Sequence, residues 1–269
     1  ATFELRYHLK SPVFWVTALL FGLLTFAAVT SDNVQIGGVG NVKVNSPYAI
    51  AVTLVTMTIF AIFIMTAFVA NVIVRDDETG FGPIIRSTRV SKFDYLFGRF
   101  LGAFIAGCLA FASVPLAMLI GSVMPWLDPE KLGPLRIEDY LYVYFFLCVP
   151  TLFVTGSACF ALATMTRSMI TTYVGVVVFL VLYLIPTGAL DKPEFERMVA
   201  LFEPFGMGAF QLATKYWTAT ERNTLLPPIE GIILWNRVMW FSASFAVLAL
   251  AWLLYRTEAR PKKKQRKSG

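Results

Sequence analysis

The stretch IAVTLVTMTIFAIFIMTAFVANVIV (Ile50–Val74) contains no charged side chain, and its polar groups are four threonines and one asparagine. About 18 such residues wound as a helix cross a bilayer's hydrocarbon core of about 30 Å. The same reading applied outward finds five more blocks: Val13–Thr30, Phe100–Trp126, Tyr140–Thr166, Ile170–Leu190 and Val238–Tyr255. Composition agrees, with 57% apolar and 15% charged residues, against about 45–50% and about 25% in soluble domains. The expected fold is all-α: a polytopic membrane protein with six transmembrane helices, filling residues 1–256, and a basic tail over 257–269.

The first block begins too far into the chain, and lacks the small-residue cleavage site, for a signal peptide, so it reads as a retained span. The chain opens on Ala1 rather than Met, which leaves room for residues ahead of it. Before the block, residues 1–12 (ATFELRYHLKSP) alternate apolar and charged side chains, as a strand would. A lone strand beside lipid leaves its backbone unsatisfied, so a short interfacial helix is expected, with Pro12 opening the first span and His8 at the interface.

Positive charge sets the orientation. Of the 23 Lys and Arg residues, fifteen fall on the side of the two termini and the second and fourth loops, and eight on the other. The expectation is a multi-pass protein of the cell (inner) membrane with both termini cytoplasmic. The tail's KKKQRK run would also be drawn to anionic membrane lipid, by about 1 kcal/mol per basic residue.

The remaining features exclude more than they assign. Cys108, Cys148 and Cys159 all fall inside blocks, with no pairing pattern, and read as small apolar residues. A single histidine builds neither a zinc site nor a Ser-His-Asp triad. No phosphate-binding GxxxxGK[ST] occurs, and the IGGVGN of Ser31–Tyr48 reads as a flexible connector. No ionisable residue lies mid-span, which argues against an ion-coupled carrier. No catalytic, cofactor or metal residue is expected, nor a nucleic-acid partner. Pro115, Pro150 and Pro186 should kink spans three to five. Asp191–Arg237 is long for a structureless loop and reads as one or two short amphipathic helices, with Thr218 and Glu221 at capping-box spacing. Ala103, Gly107, Ala110, Gly156 and Ala161 permit close helix approach, within the bundle or between copies.

The segment between spans two and three, RDDETGFGPIIRSTRVSKFDYLFGR (Arg75–Arg99), carries the sharpest signal in the chain. Gly80 and Gly82 permit a turn, Pro83 suits the first turn of a short helix carrying Ile84 and Ile85, and Ser91 and Asp94 have the spacing of a cap for span three. A short helix held between two spans can pass motion from a soluble partner to both; an ordinary charged connector is the alternative.

The pattern carried by Arg75, Glu78, Thr79, Gly80, Ile85, Ser87, Thr88, Val90, Ser91, Lys92, Gly98 and Arg99 resembles the coupling-helix region of type 2 ABC exporter permeases. Gly82, Pro83 and Arg89 depart from that family's usual residues. The resemblance implies a permease subunit with an interfacial N-terminal helix and a cytoplasmic coupling helix. Glu78, Thr79, Gly80, Ile84, Ile85, Arg86, Ser87 and Thr88 would meet a cytoplasmic ABC ATPase subunit, which would hold ATP and magnesium. A second permease copy or a homologous permease would complete the pathway, with spans two and five at the interface. A weaker likeness, Tyr216-Trp217-Thr218 followed by Glu221–Pro227, is to permeases fused to a zinc aminopeptidase; no HExxH occurs, so a peptidase would lie beyond Gly269 or in another chain. The rival readings are a non-transporting scaffold or assembly factor and, behind it, a channel or carrier.

Overall fold

The computed structural model describes residues 2–31, 36–38, 40–78, 91–189 and 195–255, without the side chains of 76–78 and 185–189. Helices and connecting turns account for the described residues, and no strand occurs among them. In chain order the helices are α1 (Thr2–Lys10), α2 (Pro12–Thr30), α3 (Pro47–Arg75), α4 (Lys92–Gly121), α5 (Ile137–Thr166), α6 (Met169–Ala189), α7 (Glu196–Phe202), α8 (Met207–Ala213), α9 (Ala219–Thr224) and α10 (Gly231–Leu254). Five of them, α2, α3, α4, α5 and α10, are long and apolar enough to cross a membrane, and the described apolar part of α6 covers Met169–Leu184. This is a multi-pass helical membrane protein.

Local sequence explains the helix starts. Ser11-Pro12 and Ser46-Pro47 each combine a side-chain cap with a residue needing no N–H: Ser11 Oγ accepts from the Val13 N–H at 3.3 Å, and Ser46 Oγ from that of Ala49 at 3.1 Å. Ser91 Oγ accepts from the Asp94 N–H at 3.0 Å and donates to its carboxylate at 2.6 Å. Thr218 and Glu221 form the expected capping box at α9. The prolines act where their missing N–H frees a carbonyl. α4 breaks at Ala112, just before Pro115, and in α5 a π turn over Tyr144–Cys148 leads into Pro150.

α3 is the central helix. Of its most apolar stretch 72% is buried, against 22% for α2 and 17% for α10. It carries a π turn over Thr66–Ala70 and continues helical to Glu78. Glycines let its neighbours close on it: a Cβ at Gly107 of α4 would lie 2.6 Å from Met65 Sδ, and one at Gly156 of α5 would lie 2.7 Å from Met65 Cε. Ala103, Ala110 and Ala161 are likewise buried. These small residues therefore serve packing inside the bundle, and leave none of that face for another copy.

The structure differs from the sequence reading in several places, and α4 runs over Lys92–Gly121 rather than Phe100–Trp126. α10 begins at Gly231 rather than Val238, so Arg237, expected in the preceding loop, lies within the helix and is 6% exposed. The segment 195–224 holds three short helices, α7 to α9. The connector after IGGVGN is pinned rather than loose. Asn45 exchanges two hydrogen bonds with the Gly133 backbone (2.6 and 2.9 Å), and Asn223 accepts from Lys43 N–H and donates to Asn41 C=O (2.7 and 2.8 Å). Cys148 and Cys159 are buried and Cys108 half-buried, all free, as their apolar surroundings predict.

Candidate functional site

Among the described residues, two buried clusters of charged side chains stand out in the apolar bundle. The first is built on α1, whose face at i and i+4 presents Glu4 and His8, each 2% exposed. Glu4 accepts from Arg75 Nη2 through both oxygens, at 3.0 and 3.1 Å, and from Arg99 Nη1. Arg75 lies near the end of the helical stretch that α3 continues to Glu78, and Arg99 lies in the second turn of α4. One carboxylate on the N-terminal helix thus holds the two spans that flank the segment between them. Aromatic faces complete the joint. The Arg75 guanidinium lies 4.0 Å over the Tyr7 ring, and that of Arg99 lies 5.5 Å over Tyr95.

His8 is not an interfacial side chain. Its ring packs edge-on to Phe68 in the π turn of α3, at 5.0 Å between centroids, and its Nε2 lies 4.0 Å from Glu4 Oε2 without a hydrogen-bond partner. Burial first, and then the Arg75 charge, lower its pKa from 6.5 to about 4. His8 is therefore neutral at pH 7, and adds no third positive charge to the cluster.

The expected coupling residues adjoin this joint in sequence. Glu78 closes the helical stretch Asn71–Glu78. Its side chain, and Thr79, Gly80, Ile84, Ile85, Arg86, Ser87 and Thr88, lie outside the described residues. Of the motif residues, the structure brings together Arg75 and Arg99. Ser91 and Lys92 begin α4 nearby in sequence but turn away: Lys92 faces Trp252 of the last helix and Tyr255 just beyond it. Sequence analysis missed Glu4. Its signal was an acidic residue between Phe3 and Leu5, one helical turn from the only histidine.

The second site lies around Arg237. Its Nη1 donates to Thr151 Oγ1 and its Nη2 to the Phe205 carbonyl, both at 2.8 Å. Asn236 Nδ2 lies 2.8–3.0 Å from the carbonyls of Ala200, Leu201 and Glu203. The Glu203 carboxylate, 7% exposed, accepts the N–H groups of Phe205 and Gly208 and supplies the opposing charge. A buried guanidinium costs several kcal/mol unless it is hydrogen-bonded and paired, and here the turn between α7 and α8 meets that need. The site fastens this turn to α5 and α10. Hydropathy hid it, because the charge of Arg237 ends an apolar block whose partners lie far away in sequence.

Among the described residues no cluster of His, Cys, Asp or Glu could hold a metal ion. No protein-family model matches the chain, and no curated protein matches it.

Proposed function

We propose that this chain is the membrane-spanning permease subunit of an ATP-driven exporter. In this reading it has six spans, α6 being the fifth, and both termini are cytoplasmic. Residues 78–88 form the element that docks on a separate ATPase, which holds the ATP and magnesium. The observation that carries the reading is the joint at Glu4. A push on the segment between Arg75 and Arg99 moves α3 and α4 only together with α1, because one carboxylate ties all three. A connector with no mechanical role needs no such tie.

Closure of the ATPases would then tilt α3, the most buried helix, and so act on the whole bundle. The substrate path would lie between two permease copies. The exposed apolar face of α6, with Val174, Val178 and Val181, suits the meeting surface better than α3, whose sides are largely covered.

The test is Ile84→Asp combined with Ile85→Asp. Two charges facing an apolar groove on the ATPase cost several kcal/mol when left unpaired. The variant should insert normally, judged by protease-protected fragments matching the parent, and should lose both the co-purifying ATPase and transport. Normal insertion with an active ATPase still bound would reduce the segment to a connector.

A further inference from the structure

Beside Lys92, where α4 starts and α10 ends, the two helices diverge. The groove between them has a volume of about 460 Å³, within the range of about 300–1,000 Å³ typical of small-ligand sites. Its described lining is wholly apolar, and Phe93, Phe97, Phe100, Phe160, Phe245 and Trp252 supply most of it. Phe97 and Phe245 stand more than half exposed. Phe93 and Phe97 stack in parallel at 5.4 Å, which keeps that wall flat and the groove open.

The mouth of the groove has the opposite character. Lys92 Nζ lies 5.3 Å from the Trp252 ring centre and 5.8 Å from that of Tyr255, with one long hydrogen bond of 3.4 Å to the Leu253 carbonyl. It has no carboxylate partner among the described residues. Asp94, on the same turn, is taken up by Ser91. Arg167 lies over the Tyr255 ring as well, at 5.3 Å, so two cations share one ring. An ammonium has three donors, and the Leu253 carbonyl occupies one of them. In sequence, Tyr255 is followed by RTEARPKKKQRK, in which seven basic residues outnumber one acidic residue.

An apolar slot of about 460 Å³ with a cation at its mouth that has no carboxylate partner among the described residues fits an amphipathic anion. We infer that the groove between α4 and α10 is a binding site for an anionic phospholipid, its acyl chain along the phenylalanines and its phosphate at Lys92. Basic residues at the membrane surface between spans are where anionic headgroups bind. The inference stands apart from the permease reading, since it needs neither an ATPase nor a transported substrate.

The test uses the whole chain purified in detergent and given equal amounts of phosphatidylglycerol and phosphatidylcholine with the same acyl chains. Retained lipids are counted by native mass spectrometry. Phosphatidylglycerol should be preferred about fivefold, the ratio corresponding to the ~1 kcal/mol that one basic residue near the surface contributes. Lys92→Gln should bring the two lipids near parity, and Lys92→Arg should keep the preference. Ala249→Trp places an indole in the groove from an exposed position, so it should reduce retention of both lipids without changing the elution volume. An undiminished preference in Lys92→Gln would overturn the site. So would full retention in Ala249→Trp, which would assign the preference to the diffuse charge of that end. A covalent dimer formed on oxidising an Ala249→Cys chain would put a second copy in the groove and overturn it too.

Discussion

Nη2 of Arg237 occupies the space that a side chain on Gly206 would need: a Cβ built there would lie 1.3 Å from it. Gly206 also has φ +82°, in the left-handed region that glycine alone enters freely. Two independent requirements therefore meet at one residue. Gly206→Ala should expel the guanidinium from Thr151 and the Phe205 carbonyl, and should cost about 3–5 kcal/mol, as breaking a buried charged contact does. The midpoint of chemical unfolding in detergent measures this. Arg237→Leu should cost a similar amount, because it leaves the buried Glu203 carboxylate without its opposing charge.

Glu4→Gln keeps the shape of the joint and removes its charge. Arg75 and Arg99, at side-chain exposures of 16% and 13%, then lose the carboxylate they share. Partial exposure moderates the cost of a broken ion pair, so a loss of about 2–4 kcal/mol is expected. Cysteine accessibility at Leu5→Cys should rise as α1 loosens. A Glu4→Gln chain with unchanged stability and accessibility would show that the aromatic contacts alone hold the joint.

His8 gives the joint a pH dependence of known sign. Its folded value of about 4 lies below the ordinary 6.5, so the unfolded or undocked chain binds the extra proton. The contribution is fully present above pH 6.5 and is lost progressively as pH falls toward 4, reaching at most about 2 kcal/mol at pH 5. Unfolding midpoints by tryptophan fluorescence at pH 7.5 and 5 should therefore separate in the parent chain and separate less in His8→Gln. Equal pH dependence in the two chains would remove His8 from the account.

Sidedness is tested in intact cells with an impermeant thiol reagent, in a chain whose three native cysteines are replaced. Leu132→Cys and Lys215→Cys should label, and Val90→Cys and Lys264→Cys should not. The reverse pattern would invert the proposed orientation, and with it the placement of the ATPase.

What the sequence discloses and what it hides follow one physical division. Hydropathy is a local property, so the ends of α2, α3 and α5 fall within a few residues of the apolar blocks that predict them. So do the caps at Ser91 and Thr218, which involve only neighbours. Pairing is non-local. Glu4 meets Arg75 and Arg99 only because α1 folds back across two spans, and Arg237 passes for a loop residue until Thr151 and Phe205 are beside it. Charges cut the blocks where the folded chain does not cut the helix. The small residues illustrate the same division: Gly107 and Gly156 announce close approach, while Met65, the side chain they admit, is known only from the packing.

The π turn at Thr66–Ala70 has a consequence for phase. One such turn is in effect one additional residue wound into an otherwise α-helical rod, and each residue advances an α-helix by about 100°. The two halves of α3 are therefore set about one residue out of step. Met65, above the turn, points to the glycines of α4 and α5, while Arg75, below it, points to Glu4. A uniform α-helix through the same sequence would aim only one of them correctly. The inserted residue works as a fixed angular offset between the packed middle of the rod and its charged foot.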